Sequence, residues 1–459
     1  MNVSFPKKCL YALGQFGLVL CAYSASNLFI SFYVTRGFSG TTLFPPLLND
    51  RYFFGFFTIT GLIIALGKIV DALGGVFFGW KSDGSRFKKG RRVSFMLISA
   101  VPLAICSFML FFPPSEINID LNSVYVLVIT VLFYVLLSCY ATPYLALMTE
   151  LGQRPKDRLL LATLLACATS FASLLGSRII YFIEVAAMRY AVQPVTSFKA
   201  IVTIYAVISC ICMLLPALLI NEVKISDSKP VRDSLGLSGR AVLKDKYFRS
   251  FLLSNIMFRI AFASTIAGFF WYITRLLGLS VDTALALNSL IFFINLLIFF
   301  PVAFFAQRYG KRKVLFFAAL MYMLFLITAI FAGRFAINPY AQGLVLAILV
   351  SIPYSVFTVI PNAVVSDLTV AAENLTGNQR GGMYFGIHAL AEKTGEMFST
   401  LLFPVIIGLG AKSVSPGTEP SHFGLRLTLI IAAIFTFIGF LFLFGYRERE
   451  VATLFVNKD

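Results

Sequence analysis

Two residues of opposite charge lie inside a strongly apolar segment of the chain. In GKIVDALGG, residues 67–75, Lys68 and Asp71 are three positions apart, and they share one helical face with Gly75. A carboxylate there can carry a proton or hold a cation, and an ammonium group can contact an anionic ligand. Mutual neutralisation of the pair remains an alternative, although two apolar residues would cost less. We predict a cation or coupling role for Asp71 and ligand contact for Lys68.

The composition indicates that these charges lie in a membrane protein. Of the 459 residues, 59% are hydrophobic and only 13% are charged, and mean hydropathy is +0.86. Soluble domains carry about 25% charged residues. Apolar runs of roughly 20 residues recur, each long enough to cross a bilayer as a helix. The chain is therefore predicted to be a polytopic membrane protein. Its seven cysteines form no CxxC pair, so we predict neither a metal site nor disulfides.

Twelve membrane-spanning helices are predicted from the apolar runs. They cover residues 9–34, 52–80, 93–112, 123–149, 159–187, 198–220, 248–275, 283–307, 314–333, 341–365, 382–410 and 424–446. An even number places both termini on one side. That side receives 26 of the 38 Lys and Arg residues and the opposite side eight, which predicts cytoplasmic termini and a plasma (bacterial inner) membrane location. Topology accounts for most of the positive charge, and no nucleic-acid partner is predicted.

A polar segment halfway along the chain divides six helices from six. The predicted parts are an N-terminal bundle (1–220), a cytoplasmic linker (221–247), a C-terminal bundle (248–446) and a cytoplasmic tail (447–459). The loops GWKSDGSRFKKGRR and AQRYGKRK occupy matching positions in the two halves, and each has a glycine before basic residues. Two parallel six-helix repeats are typical of the major facilitator architecture, with the substrate near the membrane midplane. The predicted fold class is an all-α membrane protein with this fold.

Further ionisable residues lie within predicted spans, where they are costly and usually face a water-filled interior. Arg178 lies on the fifth helix and Arg259 on the seventh, and the eleventh contains His388, Glu392, Lys393 and Glu396. Lys393 is the best candidate for a substrate or ion-coupling contact. Glu392 is adjacent to it and must point elsewhere, towards a neighbouring helix. His388 is either a proton carrier or a hydrogen-bonded structural residue.

Three stretches of the sequence resemble the glycoside–pentoside–hexuronide:cation symporters, a family that includes the melibiose permeases. They are KIVDALGGVFFGWKSDGSRFKKGRR (68–92), ATPYLALMTEL (141–151) and SDLTVAAENLTGNQRGGMYFGIHALAEKTG (366–395). The third is the most specific. It matches the family in Asp367, Glu373, Gly377, Arg380, Gly382, Met383, Tyr384 and Lys393.

This resemblance implies roles for individual residues. Asp71 falls on a cation-site aspartate and Lys393 on a lysine that links the cation and substrate sites. Together with the embedded charges, the predicted substrate contacts are Lys68, Tyr144, Arg259, His388 and Lys393, and the predicted gating residues are Asp83, Gly90, Arg91, Arg92, Asp367 and Arg380. The chain departs from the family pattern in having Gly75, Val19, Ala141 and Thr169 at positions of charged residues. A one-carboxylate site suits a proton at least as well as Na⁺, since a hard cation takes several oxygen ligands.

These observations predict a secondary active transporter, a symporter that couples H⁺ or Na⁺ to a sugar, sugar acid or related solute by alternating access. The embedded cations favour an anionic substrate. Alternatives are a lysophospholipid transporter of the same family and a transporter-like sensor that moves nothing. The sequence contains no GxSxG or HExxH motif, so an enzyme is not expected. We expect a monomer without cofactors in the lipid bilayer.

Overall fold

The computed structural model describes residues 4–23, 25, 28–33, 48, 52–53, 57–115, 118–190, 193–224, 231, 233–409 and 421–453. Helices account for nearly all of them. Their bounds are α1 (Phe5–Tyr23), α2 (Phe29–Tyr33), α3 (Ile59–Gly84), α4 (Val93–Met109), α5 (Ile119–Leu151), α6 (Pro155–Ser177), α7 (Ile179–Tyr190), α8 (Pro194–Leu219), α9 (Leu235–Lys244), α10 (Lys246–Trp271), α11 (Val281–Tyr309), α12 (Lys311–Ile330), α13 (Pro339–Thr376), α14 (Gly381–Gly408), α15 (His422–Leu443) and α16 (Glu448–Thr453). A 3₁₀ turn (Glu222–Lys224) follows α8, and a π-helical turn (Tyr272–Leu276) extends α10.

Each of the twelve predicted spans coincides with helix in the structure, although three differ from expectation. The first covers α1 and α2, and its predicted end at Val34 lies outside the described residues. The second begins at Ile59 rather than at residue 52. Before it, β1 (Tyr52–Phe53) pairs antiparallel with β2 (Phe57–Thr58), and such aromatic-rich segments suit extended backbone.

The third difference is a break in the predicted helix 159–187. α6 ends at Ser177 and α7 begins at Ile179, with Arg178 exposed in a turn between them. The side chain is exposed on the protein surface there, and its position within the membrane interior stays a prediction.

Among the described residues, nine helices are long and apolar enough to cross a membrane. α4 is apolar but shorter. α14, with 28 residues, is long enough, but it carries Glu392, Lys393 and Glu396 in its middle. These charges make α14 less suited to contact with lipid than the nine apolar helices. The chain is an integral, all-α membrane protein.

The pattern of helix packing occurs twice along the chain. α1 packs on α8, α3 on α5, and α4 on both α5 and α8. In the second half, α10 packs on α15, α11 on α13, and α12 on both α13 and α15. These are the same pairings, first with sixth, second with fourth, and third with fourth and sixth. The parallel repeat inferred from the two basic loops is present in the packing.

The chain divides into two compact units. Unit 1 comprises residues 1–153, 167–235 and 379–386, and unit 2 comprises 154–166, 236–378 and 387–459. α6 therefore begins in unit 2 and ends in unit 1, whereas α14 begins in unit 1 and ends in unit 2. The domain borders predicted from the sequence stay predictions. Parts of the predicted linker (225–230 and 232) and of the tail (454–459) lie outside the described residues.

Candidate functional site

Asp71 lies on α3 where this helix crosses α5 in unit 1. The residue is 6% exposed, and its Oδ1 accepts a hydrogen bond from Ser138 Oγ at 2.8 Å. The same hydroxyl lies 2.9 Å from the Asp71 carbonyl oxygen. A Cβ on Gly74 would stand 2.9 Å from the Ser138 side chain, so the glycine permits this close approach. The result is a buried carboxylate with a short hydroxyl contact, a group that can hold a proton.

Gly75 of α3 lies at a helix crossing. A Cβ on Gly386 of α14 would stand 2.6 Å from the Gly75 carbonyl oxygen. One turn away, Gly79 and Gly382 are closer still, because a Cβ on either would collide with the carbonyl oxygen of the other. Backbone meets backbone at this crossing, so Gly79 and Gly382 permit close helix packing.

A second group of charges joins α10 and α14 in unit 2. Arg259 Nη2 donates to Glu392 Oε1 at 2.7 Å, and its Nε lies 3.7 Å from Glu396 Oε1. The side chains are 33%, 24% and 45% exposed, respectively. Gly395 permits the contact, since its Cβ would already be 3.0 Å from Arg259 Cβ. Glu392 thus points to a neighbouring helix as expected, and the two carboxylates neutralise Arg259.

His388 lies one turn before Glu392 and is almost fully buried. Its Nε2 is 2.9 Å from Asn255 Nδ2, and with this amide donating, Nε2 is the acceptor of a neutral ring. The ring also stacks on Phe251, with centroids 6.3 Å apart. Beside Asn255 and Arg259 is a cavity of about 20 Å³, which is enough for a single water molecule. These contacts fit the hydrogen-bonded structural alternative, and substrate contact by His388 stays a prediction.

The other predicted substrate contacts have different surroundings. Lys68 and Lys393 are half-buried, on α3 in unit 1 and on α14 in unit 2. Tyr144 is fully buried on α5. Its hydroxyl donates to the Tyr11 carbonyl oxygen at 2.5 Å, and Tyr11 donates to the Tyr144 carbonyl at 2.6 Å. The two rings stack 4.5 Å apart. Tyr144 therefore ties α5 to α1, and nothing in its position favours substrate contact.

Asp83 ends α3 and holds the first turn of α14. Its Oδ1 accepts from the Gly382 N–H at 2.8 Å and its Oδ2 from the Met383 N–H at 2.9 Å. Arg92 Nη2 donates to the same carboxylate at 3.2 Å. The first N–H groups of a helix have no partner within it, so Asp83 supplies what the helix itself cannot. This contact is formed entirely within unit 1.

Arg91 and Arg92 converge on one buried glutamate. Glu150 Oε1 accepts from Arg92 Nε at 2.7 Å and from Arg91 Nη2 at 2.9 Å. Behind them, Glu222 accepts from the backbone N–H groups of Arg92 and Val93 at 2.9 Å each, where α4 begins. Burial acts to lower the pKa of Arg92, but Glu150 and the other carboxylates outweigh it and raise that pKa above its usual value. The carboxylates thus hold Arg92 in its charged form, whereas burial raises the pKa of Asp83, and burial together with Glu150 raises the pKa of Glu222 to about 7.

Two further predicted gating residues lie around this cluster. Gly90 has φ +116°, and a side chain there would collide with Glu222. Arg380, just before α14, donates to Asp233 Oδ2 at 2.6 Å. The Asp233 carbonyl oxygen in turn accepts from Trp80 Nε1 at 2.8 Å. Asp233 of the central linker therefore connects the last turns of α3 with the residue that precedes α14.

Unit 2 contains a related construction around Asp367 of α13. Its Oδ1 accepts from Arg158 Nε of α6 at 2.6 Å, and its Oδ2 pairs with Lys311 Nζ of α12. Glu448 accepts from the backbone N–H groups of Lys311 and Arg312 at 2.8 Å each. Gly310 precedes them with φ +94°. Each unit thus has a positive-φ glycine, a basic helix start and a glutamate that caps it from after the sixth helix.

Sequence reasoning missed several members of these clusters. They are Glu222, Glu448, Arg158, Lys311 and Asp233, for which no site role is predicted from the sequence. A usable signal exists for two of them, because Glu222 and Glu448 both follow the last helix of their repeat within a few residues. The remaining partners are separated by many residues in sequence, and only the folded chain brings them together.

Comparison with known proteins decides the family. The family model described as MFS/sugar transport protein matches residues 12–447. The chain belongs to this family. It is therefore a membrane-embedded transporter of the major facilitator superfamily, and it is not an enzyme.

Individual relatives of this MFS transporter are distant. An uncharacterised symporter from Synechocystis is 27% identical over 229 residues, which cover 48% of this chain and 38% of that protein. The chain thus aligns with less than half of the curated relative's length.

Solved structures match over almost the full chain. A variant of the fucose:proton symporter of E. coli matches with a TM-score of 0.64 at 16% identity, over 97% of this chain and 100% of that one. A proton:xylose symporter bound to 6-bromo-6-deoxy-D-glucose has a TM-score of 0.65 at 14% identity, over 99% and 100%. A bacterial homologue of the iron transporter ferroportin has a TM-score of 0.68 at 11% identity, over 96% and 99%. At such identities the likeness establishes the all-α major facilitator fold, which confirms the predicted fold class.

Proposed function

We propose that this MFS transporter is a proton-coupled symporter of a sugar or sugar acid, with Asp71 as the residue that carries the coupling proton. The proposal places it in the plasma membrane, with cytoplasmic termini, as a relative of the melibiose permease-like symporters. The observation that carries it is the buried Asp71 carboxylate on α3, hydrogen-bonded to Ser138 at the crossing with α5.

The surroundings of Asp71 favour H⁺ over Na⁺ as the coupling ion. A proton requires one carboxylate, whereas a hard cation takes several oxygen ligands. The family position for a second carboxylate is Gly75, and the backbone of α14 packs directly against it at Gly386. The helix crossing thus supports a site built around a single acid.

The α10–α14 charges support a polar, hydroxylated solute. Arg259 is neutralised by Glu392 and Glu396, so its charge is not available to attract an anion. A partly exposed ion pair still offers both donors and acceptors to sugar hydroxyls. Binding of a sugar acid would then rely on Lys68 or Lys393 rather than on Arg259. In this scheme the Asp83 and Asp367 clusters act as gates, because they hold the first turns of α14 and α6.

The test is solute uptake into proteoliposomes at two pH values, with and without a Na⁺ gradient. For a sugar or sugar acid, we expect a proton gradient to drive accumulation in wild-type protein. Asp71→Asn mimics the protonated acid. It should lose gradient-driven accumulation by at least tenfold but retain exchange of labelled for unlabelled solute, which needs no net proton movement. Asp282→Asn, at the exposed start of α11, is the matched control and should behave as wild type.

Other outcomes would overturn the proposal in distinct ways. Accumulation driven by Na⁺ and insensitive to the proton gradient would show that the coupling ion is wrong. If Asp71→Asn accumulates solute like the wild type, Asp71 is structural. Solute binding without either accumulation or exchange would identify a sensor, and uptake confined to lysophospholipids would replace the substrate class.

A further inference from the structure

A deep groove lies between α11, α12 and α13 in unit 2. Its volume is about 540 Å³. Ten residues line it: Ile298, Pro301, Val302, Phe305, Tyr309, Lys313, Val314, Phe317, Ile352 and Val356. Only Lys313 among them carries a charge. This α11–α13 groove contains none of the residues of the transport site or of the Asp367 cluster.

The shape and position of the groove suit a hydrocarbon chain. Its lining follows α11 from Ile298 to Tyr309, a length of roughly 16 Å at 1.5 Å per residue. Phe305 and Phe317 on its walls are about half exposed, although both helices are apolar enough to span a membrane. In the bilayer such side chains face lipid. Pro301 lies within the wall formed by α11, where its ring disturbs regular helical packing.

One end of the groove, where α11 ends and α12 begins, is positively charged. α11 ends at Tyr309 and α12 begins at Lys311, so Lys313 and Tyr309 mark the same end. The Arg308 guanidinium lies 5.6 Å from the centre of the Tyr309 ring. No carboxylate belongs to the described lining. Lys311 is occupied by Asp367, which leaves Lys313 as the ammonium group of the groove.

We propose that the α11–α13 groove binds one acyl chain of an anionic phospholipid whose phosphate contacts Lys313. Basic pockets between helices at the cytoplasmic membrane surface recognise anionic head groups, and the positive-inside bias predicts that this end faces the cytoplasm. The apolar walls hold the chain but do not discriminate between lipids, because bulk lipid offers the same contacts. Selectivity comes from the charge at the mouth. One lysine near the surface contributes about 1 kcal/mol, which is about fivefold in affinity.

Native mass spectrometry of the detergent-purified protein tests this site. The protein is incubated with equal amounts of phosphatidylglycerol and phosphatidylcholine, and the retained lipid adducts are counted. Wild type should retain phosphatidylglycerol with about fivefold preference. Lys313→Gln should reduce that preference to near unity, while Lys88→Gln, an exposed lysine of the loop before α4, should leave it unchanged. Ile352→Trp fills the groove and should reduce adducts of both lipids.

Three results would overturn the proposal. Lys313→Gln retaining the preference would exclude Lys313 as the head-group contact. Competition by sn-glycerol 3-phosphate would indicate a site for free anions without an acyl chain. Unchanged adducts in a monodisperse, helical Ile352→Trp protein would place the lipid elsewhere. None of these readouts depends on transport, so the proposal stands or falls separately from proton symport.

Discussion

Replacing Asp83 by asparagine should release the start of α14 without removing a side chain. The wild-type carboxylate accepts two backbone N–H groups, from Gly382 and Met383, and pairs with Arg92. Asparagine has nearly the same shape but only one acceptor oxygen, and its NH₂ group would face a second N–H donor. Arg92 keeps Glu150 as a partner at 2.7 Å. The perturbation is therefore concentrated on the first turn of α14.

The magnitude follows from the hydrogen bonds that asparagine cannot accept. A hydrogen bond to a charged group contributes about 1.5–3 kcal/mol, and at least one of the two N–H groups is left without its acceptor. Because about 1.4 kcal/mol corresponds to a factor of ten, opening of the first turn should become roughly 10- to 100-fold more frequent. Gly382 and Met383 are early helical residues without intrahelical acceptors, so their protection from exchange depends on Asp83.

Hydrogen–deuterium exchange of the purified protein measures this directly. In Asp83→Asn, the segment 379–386 should exchange roughly 10- to 100-fold faster, while the start of α12 at Lys311 should be unaffected. Asp282→Asn is the control for a change of charge without a buried partner. Unchanged exchange at Gly382 and Met383, together with a general loss of stability, would refute the local capping argument.

Two further substitutions test other parts of the same construction. Asp367→Asn leaves Arg158 and Lys311 without a counter-charge in a buried position, so the free energy of unfolding should fall by about 3–5 kcal/mol, measured by thermal melting in detergent; a change below about 1 kcal/mol would contradict it. Gly79→Ala places a Cβ on the Gly382 carbonyl oxygen and should cost about 1–3 kcal/mol and impair uptake, whereas Gly236→Ala, with open space around it, should be neutral or stabilising. Equal behaviour of the two glycine variants would refute the close crossing.

The sequence predicted those features that are encoded locally. Apolar runs identify the helices because each must cover about 30 Å of hydrocarbon with its own residues. The loops before α4 and α12 revealed the repeat because glycine and basic residues recur there at matching positions. Asp83 and Arg92 could be singled out for the same reason, since both belong to one loop. Asp71 stood out because a carboxylate is rare in so apolar a segment.

The partners of these residues could not be predicted from local pattern. Glu222 is 130 positions from Arg92, and Glu392 is 133 from Arg259. Such contacts depend on which helices pack together and on their rotation about their own axes. The same applies to Arg178, where a turn of one residue interrupts the predicted helix. A sequence pattern shows that a charged residue lies in an apolar segment, but it does not show which distant residues surround that charge in the folded chain.

Asp83 and Asp367 are both buried, and each holds the start of a helix through a different kind of contact. Asp83 holds the start of α14 through backbone N–H groups, whereas Asp367 holds the start of α6 through the Arg158 side chain. These are the two helices that begin in one compact unit and end in the other. In both cases the carboxylate is also paired with a cation at the start of the third helix of its repeat, Arg92 or Lys311. Releasing the start of α14 leaves the Asp83–Arg92 pair intact, whereas releasing the start of α6 keeps the Asp367–Lys311 pair but separates the buried Arg158 from its carboxylate. Because a buried charge that loses its partner is costly, we expect the Asp83 attachment to be the easier of the two to open.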